Sequence, residues 1–151
     1  MIITFCGHST FCEKANYENK LLSILQEKVG DNPAEIYLGG YGSFDEFARV
    51  CCRKYQKEHP NVCLVFITPY ITVEYQKNHL EYNKNDYDAI LYPALEDKPL
   101  RFAISYRNKW MVEKADLVIS YINHNNGGAW QTYQHAKRKG KEIINLGQLN
   151  T

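Results

Sequence analysis

The chain has 151 residues, with 18 basic and 17 acidic side chains and a net charge of +1. That length fits one domain, residues 1–151, able to bury about two-thirds of its unfolded surface. The charge balance excludes partners recruited by bulk electrostatics: nothing calls for nucleic acid or a membrane surface, and recognition has to come from a pocket.

No apolar run approaches the roughly 18 residues of a membrane span, and Met1-Ile2-Ile3-Thr4-Phe5 lacks the basic start and long apolar stretch of a signal peptide, so a cytoplasmic location is expected. Cys6, Cys12, Cys51, Cys52 and Cys63 are odd in number and show no C-x-x-C spacing, which argues against zinc and a disulfide framework. No metal and no cofactor is expected. The cysteines read mainly as small buried hydrophobes, with Cys6 the one near a plausible site. The twelve tyrosines read mainly as half-buried packing, with base stacking a minor role.

In chain order, Ile2 to Cys6 is a short strand ending in the polar loop Gly7-His8-Ser9-Thr10. Tyr17, Leu21, Leu22, Leu25 and Val29 then carry helical spacing up to Gly30, and Pro33 prevents continuation. Ile36 to Leu38 is a second strand. It runs into Gly39-Gly40-Tyr41-Gly42-Ser43, where three glycines permit positive φ and close approach to the backbone. Ser43 reads as an N-cap, and Phe44, Phe47, Ala48, Cys51, Cys52 and Tyr55 trace one face of the helix that follows. Ser43-x-x-Glu46 also matches a capping box, so Glu46 is either helix punctuation or a site carboxylate. The unpaired N–H groups and positive dipole of such a helix start suit an anion.

Val62 to Ile67 is a continuous apolar run, as in a strand covered on both faces. Residues 69–88, rich in Tyr, Asn and Lys, have weak periodicity and read as a lid-like segment. Asp88 to Tyr92 is a fourth strand, and Leu100, Ala103, Ile104, Met111 and Ala115 share a helical face with Arg107 in its middle. A buried guanidinium must be paired or reach a polar pocket, so Arg107 is either a salt-bridged structural residue or a ligand contact. Leu117 to Ile122 is a fifth strand leading into a second glycine turn, Asn123-His124-Asn125-Asn126-Gly127-Gly128, before a helix that runs to Gly140. Glu142 to Leu146 is the sixth strand. Alternation of strands and helices predicts an α/β doubly wound sheet, with its crevice at the strands' carboxyl ends. Two glycine turns at one sheet edge could hold two phosphates, or a phosphate and a ribose.

Gly39-Gly40-Tyr41-Gly42-Ser43-x-x-Glu46 resembles the GGxGTxxE signature of the Lonely Guy proteins, and the whole layout resembles the SLOG superfamily that joins them to the DprA/Smf DNA-processing proteins. Arg107-Asn108-x-x-Met111-Val112-x-x-Ala115-Asp116, with Gly127-Gly128-Ala129 after the next strand, is similar to the RNxxMVxxAD and GGT segments of short bacterial SLOG-type proteins. The resemblance implies a Rossmann-like, mainly parallel sheet in a single domain, a nucleotide-like ligand, and room for a homo-oligomer. Lonely Guy enzymes hydrolyse the N-glycosidic bond of nucleoside 5′-monophosphates with the signature glutamate, matched by Glu46, and an upstream arginine. No arginine precedes Gly39 in this chain, and Leu38 and Ser43 replace the signature's proline and threonine.

The expected function is therefore binding of a nucleotide or nucleotide-derived molecule, as sensor or sequestering domain, ahead of N-glycosidic hydrolysis or transfer and of an interaction domain with a vestigial pocket. A carboxylate beside the anomeric carbon, Glu46 or Asp45, would serve an oxocarbenium-like state. The expected ligand contacts are Gly7, His8, Ser9, Gly39, Gly40, Tyr41, Gly42, Ser43, Arg107, Asn108, His124, Gly127 and Gly128, with Arg107 pairing phosphate or ribose. His8 and His124 also fit the more common reading of a loop histidine, that it is simply solvated, despite an aptitude for acid/base work.

Overall fold

The first strand, β1 (Ile2–Gly7), is buried along nearly its whole length, as a strand covered on both faces must be. A computed structural model describes residues 1–12, 14–80 and 84–148. In it β1 lies inside a six-stranded sheet with β2 (Ala34–Leu38), β3 (Val62–Ile67), β4 (Ala89–Leu91), β5 (Leu117–Tyr121) and β6 (Glu142–Asn145), every pair parallel. The order is β4-β3-β2-β1-β5-β6. The chain thus works outward from β1 to β4, then returns to the other side of β1, which makes the β1–β5 gap the topological switch point.

The helices are α1 (Lys14–Lys28), α2 (Ser43–Gln56), the single turn α3 (Val73–Tyr75), α4 (Ala103–Lys114) and α5 (Gly127–Arg138). One face of the sheet is covered by α1 and α2, whose Leu21, Leu25, Phe44, Phe47 and Cys51 join Ile3, Ile36 and Leu64 in the main core. The other is covered by α4 and α5, through Val112, Tyr133 and Ala136 against Val118 and Ile122, and through Met111 against Tyr37 and Val65. Among the described residues no helix is long and apolar enough to cross a membrane.

Three expectations are corrected by packing. Ser43 is not the cap of α2: Gly42 occupies that position at φ 89°, ψ 167°, without a side-chain cap. The Ser43 hydroxyl instead donates to the Ser9 carbonyl (2.9 Å) and accepts from the Phe11 N–H (2.5 Å), stitching the start of α2 to the loop after β1. The α4 face is also displaced. Leu100 and Ile104 are exposed, Leu100 belongs to a 3-10 turn before the helix, and the buried stripe is Ala103, Arg107, Met111 and Val112. Lastly, the lid-like segment contains local structure that weak periodicity concealed: Thr72 caps α3 by accepting from the Tyr75 N–H (3.3 Å), and a π turn follows at Gln76–Leu80. Residues 81–83 of that segment lie outside the described residues.

The end of β5, from which the second glycine turn departs, is held by Asn145. Its Oδ1 accepts from the Ile122 N–H (2.9 Å), the Ser120 hydroxyl (3.1 Å) and the Gly147 N–H (3.1 Å), while its Nδ2 donates to the Ile122 carbonyl (3.0 Å).

Gly42 lies where essentially only glycine is stable, and a Cβ there would come within 2.8 Å of Ser9 Cα. Gly42→Ala is therefore expected to cost about 1–3 kcal/mol or more in urea unfolding. Gly128→Ala, where a Cβ meets nothing within 4 Å, should be neutral or stabilising by up to about 1 kcal/mol.

Candidate functional site

At the switch point the carboxyl ends of β1 and β5 diverge over a cavity of about 610 Å³, within the roughly 300–1,000 Å³ of small-molecule sites. Its floor is Phe5, Cys6 and Gly7. One wall is His8-Ser9-Thr10 with Tyr41 and Asp45, the second is Ile104, Arg107, Asn108 and Met111 of α4, and the third is the loop Asn123, His124, Asn126 with the start of α5.

The expected contacts separate into two groups. Gly7, His8, Ser9, Tyr41, Asp45, Arg107, Asn108, His124, Gly127 and Gly128 line the cavity. Gly39, Gly40, Gly42, Ser43 and Glu46 do not, and the glycines among them answer to the chain itself. A Cβ on Gly39 would fall 2.9 Å from Arg107 Cζ, and one on Gly40 (φ 68°) 2.6 Å from the Phe66 ring. Gly7, although a lining residue, needs its missing side chain to admit the Phe44 ring. These glycines let the chain approach itself closely, which the sequence presented as room for a ligand. Glu46 points to solvent and makes neither a capping-box bond nor a cavity contact; one helical residue earlier, Asp45 is turned inward.

Arg107 is buried, 2% exposed, yet has no carboxylate in ion-pair contact among the described residues. Its Nη1 donates to the carbonyls of Gly39 (2.9 Å) and Ile67 (2.8 Å), at the ends of β2 and β3, and its Nε donates to Asn108 Oδ1 (2.9 Å). Burial lowers its pKa, and the Asp45 charge acts against that. Asp45 Oδ2 accepts from the Tyr41 N–H (3.2 Å). Loss of hydration pushes Asp45 up to about 6, partly offset by that N–H and by Arg107.

The two histidines stack ring on ring at 3.5 Å. His8 is buried and its Nε2 accepts from the Asn123 N–H (3.2 Å), which fixes the proton of the neutral ring on Nδ1. Burial, then the neighbouring His124, lowers its pKa. His8 thus positions the loop after β5. Cys6 donates its thiol to the Ala129 carbonyl (3.6 Å), and burial, then Asp45, pushes it up to about 12, so it is no nucleophile at neutral pH. Among the described residues no group of three His, Cys, Asp or Glu stands together to hold a metal ion.

At the start of α5 Gly127 adopts φ 90°, Asn126 supplies no side-chain cap, and the space beside both glycines is open. Thr132 closes the first turn by donating to the Gly128 carbonyl (3.0 Å). Thr10, Asn123, Asn126 and Thr132 are lining residues that the sequence did not single out; the polar run Asn123 to Asn126 beside the glycines was the available signal.

A six-stranded parallel sheet, helices on both faces and an open crevice at the switch point define a Rossmann-like α/β domain. The same fold is found in DNA processing protein A from Helicobacter pylori, a structure described for its single-stranded DNA binding mode, with TM-score 0.66, 17% identity, and coverage of 98% of this chain and 66% of that one. It is also found in DprA from Streptococcus pneumoniae (TM-score 0.64, 16% identity, 95% of this chain and 49% of that one) and in TM1055 (TM-score 0.58, 16% identity, 95% and 72%). The chain spans less than two-thirds of either DprA chain, and at these identities the likeness is one of fold. No protein-family profile and no curated protein matches the sequence.

A carboxylate desolvated with one backbone N–H to compensate it, and with no cation in contact among the described residues, opposes folding. Above about pH 6 Asp45 is charged in the folded and unfolded chain alike and the desolvation cost is complete; below the unfolded value of 3.8 both are protonated and it vanishes. Between these limits the folded chain binds more protons, so this contribution to stability falls as pH rises. Asp45→Asn is accordingly expected to stabilise the ligand-free protein at pH 7–8 by on the order of 1–2 kcal/mol, discounted for its partial exposure. Urea unfolding at pH 8 and at pH 3.5 checks this, since the gain should be absent at the lower pH.

Proposed function

We propose that this domain binds a nucleotide or nucleotide-derived small molecule in the β1–β5 crevice, as a sensor or sequestering domain, with the phosphate at the start of α5. The observation that carries the proposal is the coincidence, in one cavity, of a nearly fully buried arginine and an uncapped helix start whose two glycines leave open space. An anion there gains N–H donors and the positive end of the helix dipole. The α2 start is a poorer phosphate site, because Asp45 already accepts from the Tyr41 N–H and carries like charge at neutral pH. Tyr41, 67% exposed at the rim, offers a ring for a base to stack on.

A second reading, N-glycosidic cleavage, draws support from Asp45: a carboxyl poised near 6 in a cavity is suited to acid/base work or to stabilising an oxocarbenium-like state. Arg107 is the candidate for the arginine missing upstream of the first glycine turn. Single-stranded DNA, which the Helicobacter protein binds, draws little support from a net charge of +1.

Calorimetry with a panel of nucleoside 5′-monophosphates tests the proposal. Gly128→Asp places a carboxylate at the second position of α5, where it suits the helix and repels phosphate, so the fold should be kept and affinity should fall about tenfold or more. Unchanged affinity would remove the phosphate from this turn. Glu46→Gln should leave both stability (within about 0.5 kcal/mol) and affinity unchanged. If the wild type releases free base, chromatography should show that release depends on Asp45, falling about 100-fold or more in Asp45→Asn, and is indifferent to Glu46→Gln.

A further inference from the structure

The loop that forms the third wall of the crevice has little packing to hold it. Residues 123–128 are exposed, Gly127 sits at φ 90°, and the space beside both glycines is open. The near end of the loop is fixed, because Asn145 bonds the N–H (2.9 Å) and the carbonyl (3.0 Å) of Ile122. Between that anchor and the glycines, the ring of His8 ties the loop to the end of β1. His8 Nε2 accepts from the Asn123 N–H (3.2 Å), and the His124 ring lies face to face on it at 3.5 Å.

Both ties need a neutral His8. An imidazole nitrogen accepts a hydrogen bond through its lone pair, so a proton on Nε2 sets one N–H against another and the bond to Asn123 is lost. The charged ring also lies against a second imidazole, and the stacked pair cannot carry two charges without repulsion. His124 meets no such conflict: its Nδ1 faces Asn123 Oδ1 (2.8 Å), an acceptor that suits the neutral and the charged ring alike. The surroundings offer a His8 cation no compensation. Tyr121 of β5 stands nearly perpendicular to it (6.5 Å between ring centres), Ser9 and Thr10 are uncharged, and Cys6 of β1 is a neutral thiol on the Ala129 carbonyl. The first turn of α5 holds no acidic residue. Asp45 of α2 and Arg107 of α4 line the same cavity, but among the described residues no carboxylate contacts His8.

We propose that the stacked histidines are a proton-operated latch: neutral His8 holds residues 123–126 against the end of β1, and a proton on His8 releases them, opening that wall of the crevice. Burial and His124 hold the His8 pKa below the ordinary 6.5, so release comes on the acid side of neutrality. The unfolded chain takes up this proton at higher pH than the folded one. The stability contributed by neutral His8 is therefore present above 6.5 and lost as pH falls through the folded value. Asp45 has the opposite sign, its cost being relieved as pH falls, which separates the two groups.

The test is nuclear magnetic resonance of the isotope-labelled protein from about pH 8 to about pH 4.5, a range that spans histidine titration. It follows the ring nitrogens of His8 and the amide of Asn123 with its hydrogen exchange, while circular dichroism confirms the fold. At neutral pH His8 should carry its proton on Nδ1. On acidification it should titrate with a midpoint below 6.5, and the Asn123 amide should shift along the same curve. Exchange protection of that amide, corrected for the pH dependence of the unprotected rate, should fall about tenfold. His8→Gln keeps an acceptor oxygen near the place of Nε2 but takes up no proton, so Asn123 should stay protected across the range. If glutamine fails to fold or to hold the loop at pH 8, His124→Asn carries the test: without the stacked ring the His8 midpoint should move upward, and the Asn123 transition should move with it. Asp45→Asn should leave the two curves coupled. A neutral His8 protonated on Nε2, or an Asn123 amide indifferent to the titration of His8, overturns the inference. A transition that survives His8→Gln also overturns it, and its disappearance in Asp45→Asn would assign it to that carboxyl instead.

Discussion

One buried guanidinium organises the crevice. Arg107 reaches from α4 across the ends of two strands and donates from a single nitrogen to the carbonyls of Gly39 and Ile67. Those carbonyls mark where β2 and β3 stop, so the arginine serves as the tie that holds both strand ends open in front of the sheet. Its position bears on the neighbouring sequence: a Cβ on Gly39 would fall 2.9 Å from the guanidinium carbon, closer than side-chain contacts allow without a shift. Replacing the arginine would leave buried acceptors without donors, which costs more than the hydrogen bonds themselves.

The electrostatic asymmetry of the site follows from the two helix starts that border it. The α2 start is satisfied from within: Asp45 takes the Tyr41 N–H, and the backbone N–H of Ser43 goes to the Ser9 carbonyl (2.9 Å). The α5 start has no side-chain cap and faces open space. Two turns that look alike as sequence therefore have opposite characters, one acidic and closed, the other positive and open. That polarity would give a ligand bound in the crevice a direction.

The features that oppose folding gather at this same end of the sheet: the desolvated Asp45, the buried charge of Arg107 with no carboxylate in contact among the described residues, and a cap glycine in a region closed to other residues. Elsewhere the molecule is conventional packing, with Leu21, Leu25, Phe44 and Phe47 against the sheet on one side and Val112, Tyr133 and Ala136 on the other. Local cost at a preorganised site, offset by a well-packed core, is the usual relation between binding and stability.

The sequence by itself determined the parallel α/β architecture, the six strands and the edge on which function is sought. Hydrophobic periodicity reports burial directly, and an uninterrupted run such as Val62 to Ile67 permits little besides a strand covered on both faces. It also brought Arg107 and the turn at Gly127 into view. Only the tertiary structure decided which residues of the first glycine stretch face the cavity. Asp45 and Glu46 are neighbours in sequence, but a helical step of about 100° turns one inward and the other to solvent. The glycines misled for a related reason: a missing side chain signals that something comes close to the backbone without saying whether it is a ligand or the chain itself, and at Gly39, Gly40 and Gly42 it is Arg107, Phe66 and Ser9. Those neighbours lie tens of residues away or on another loop, beyond the reach of any local pattern.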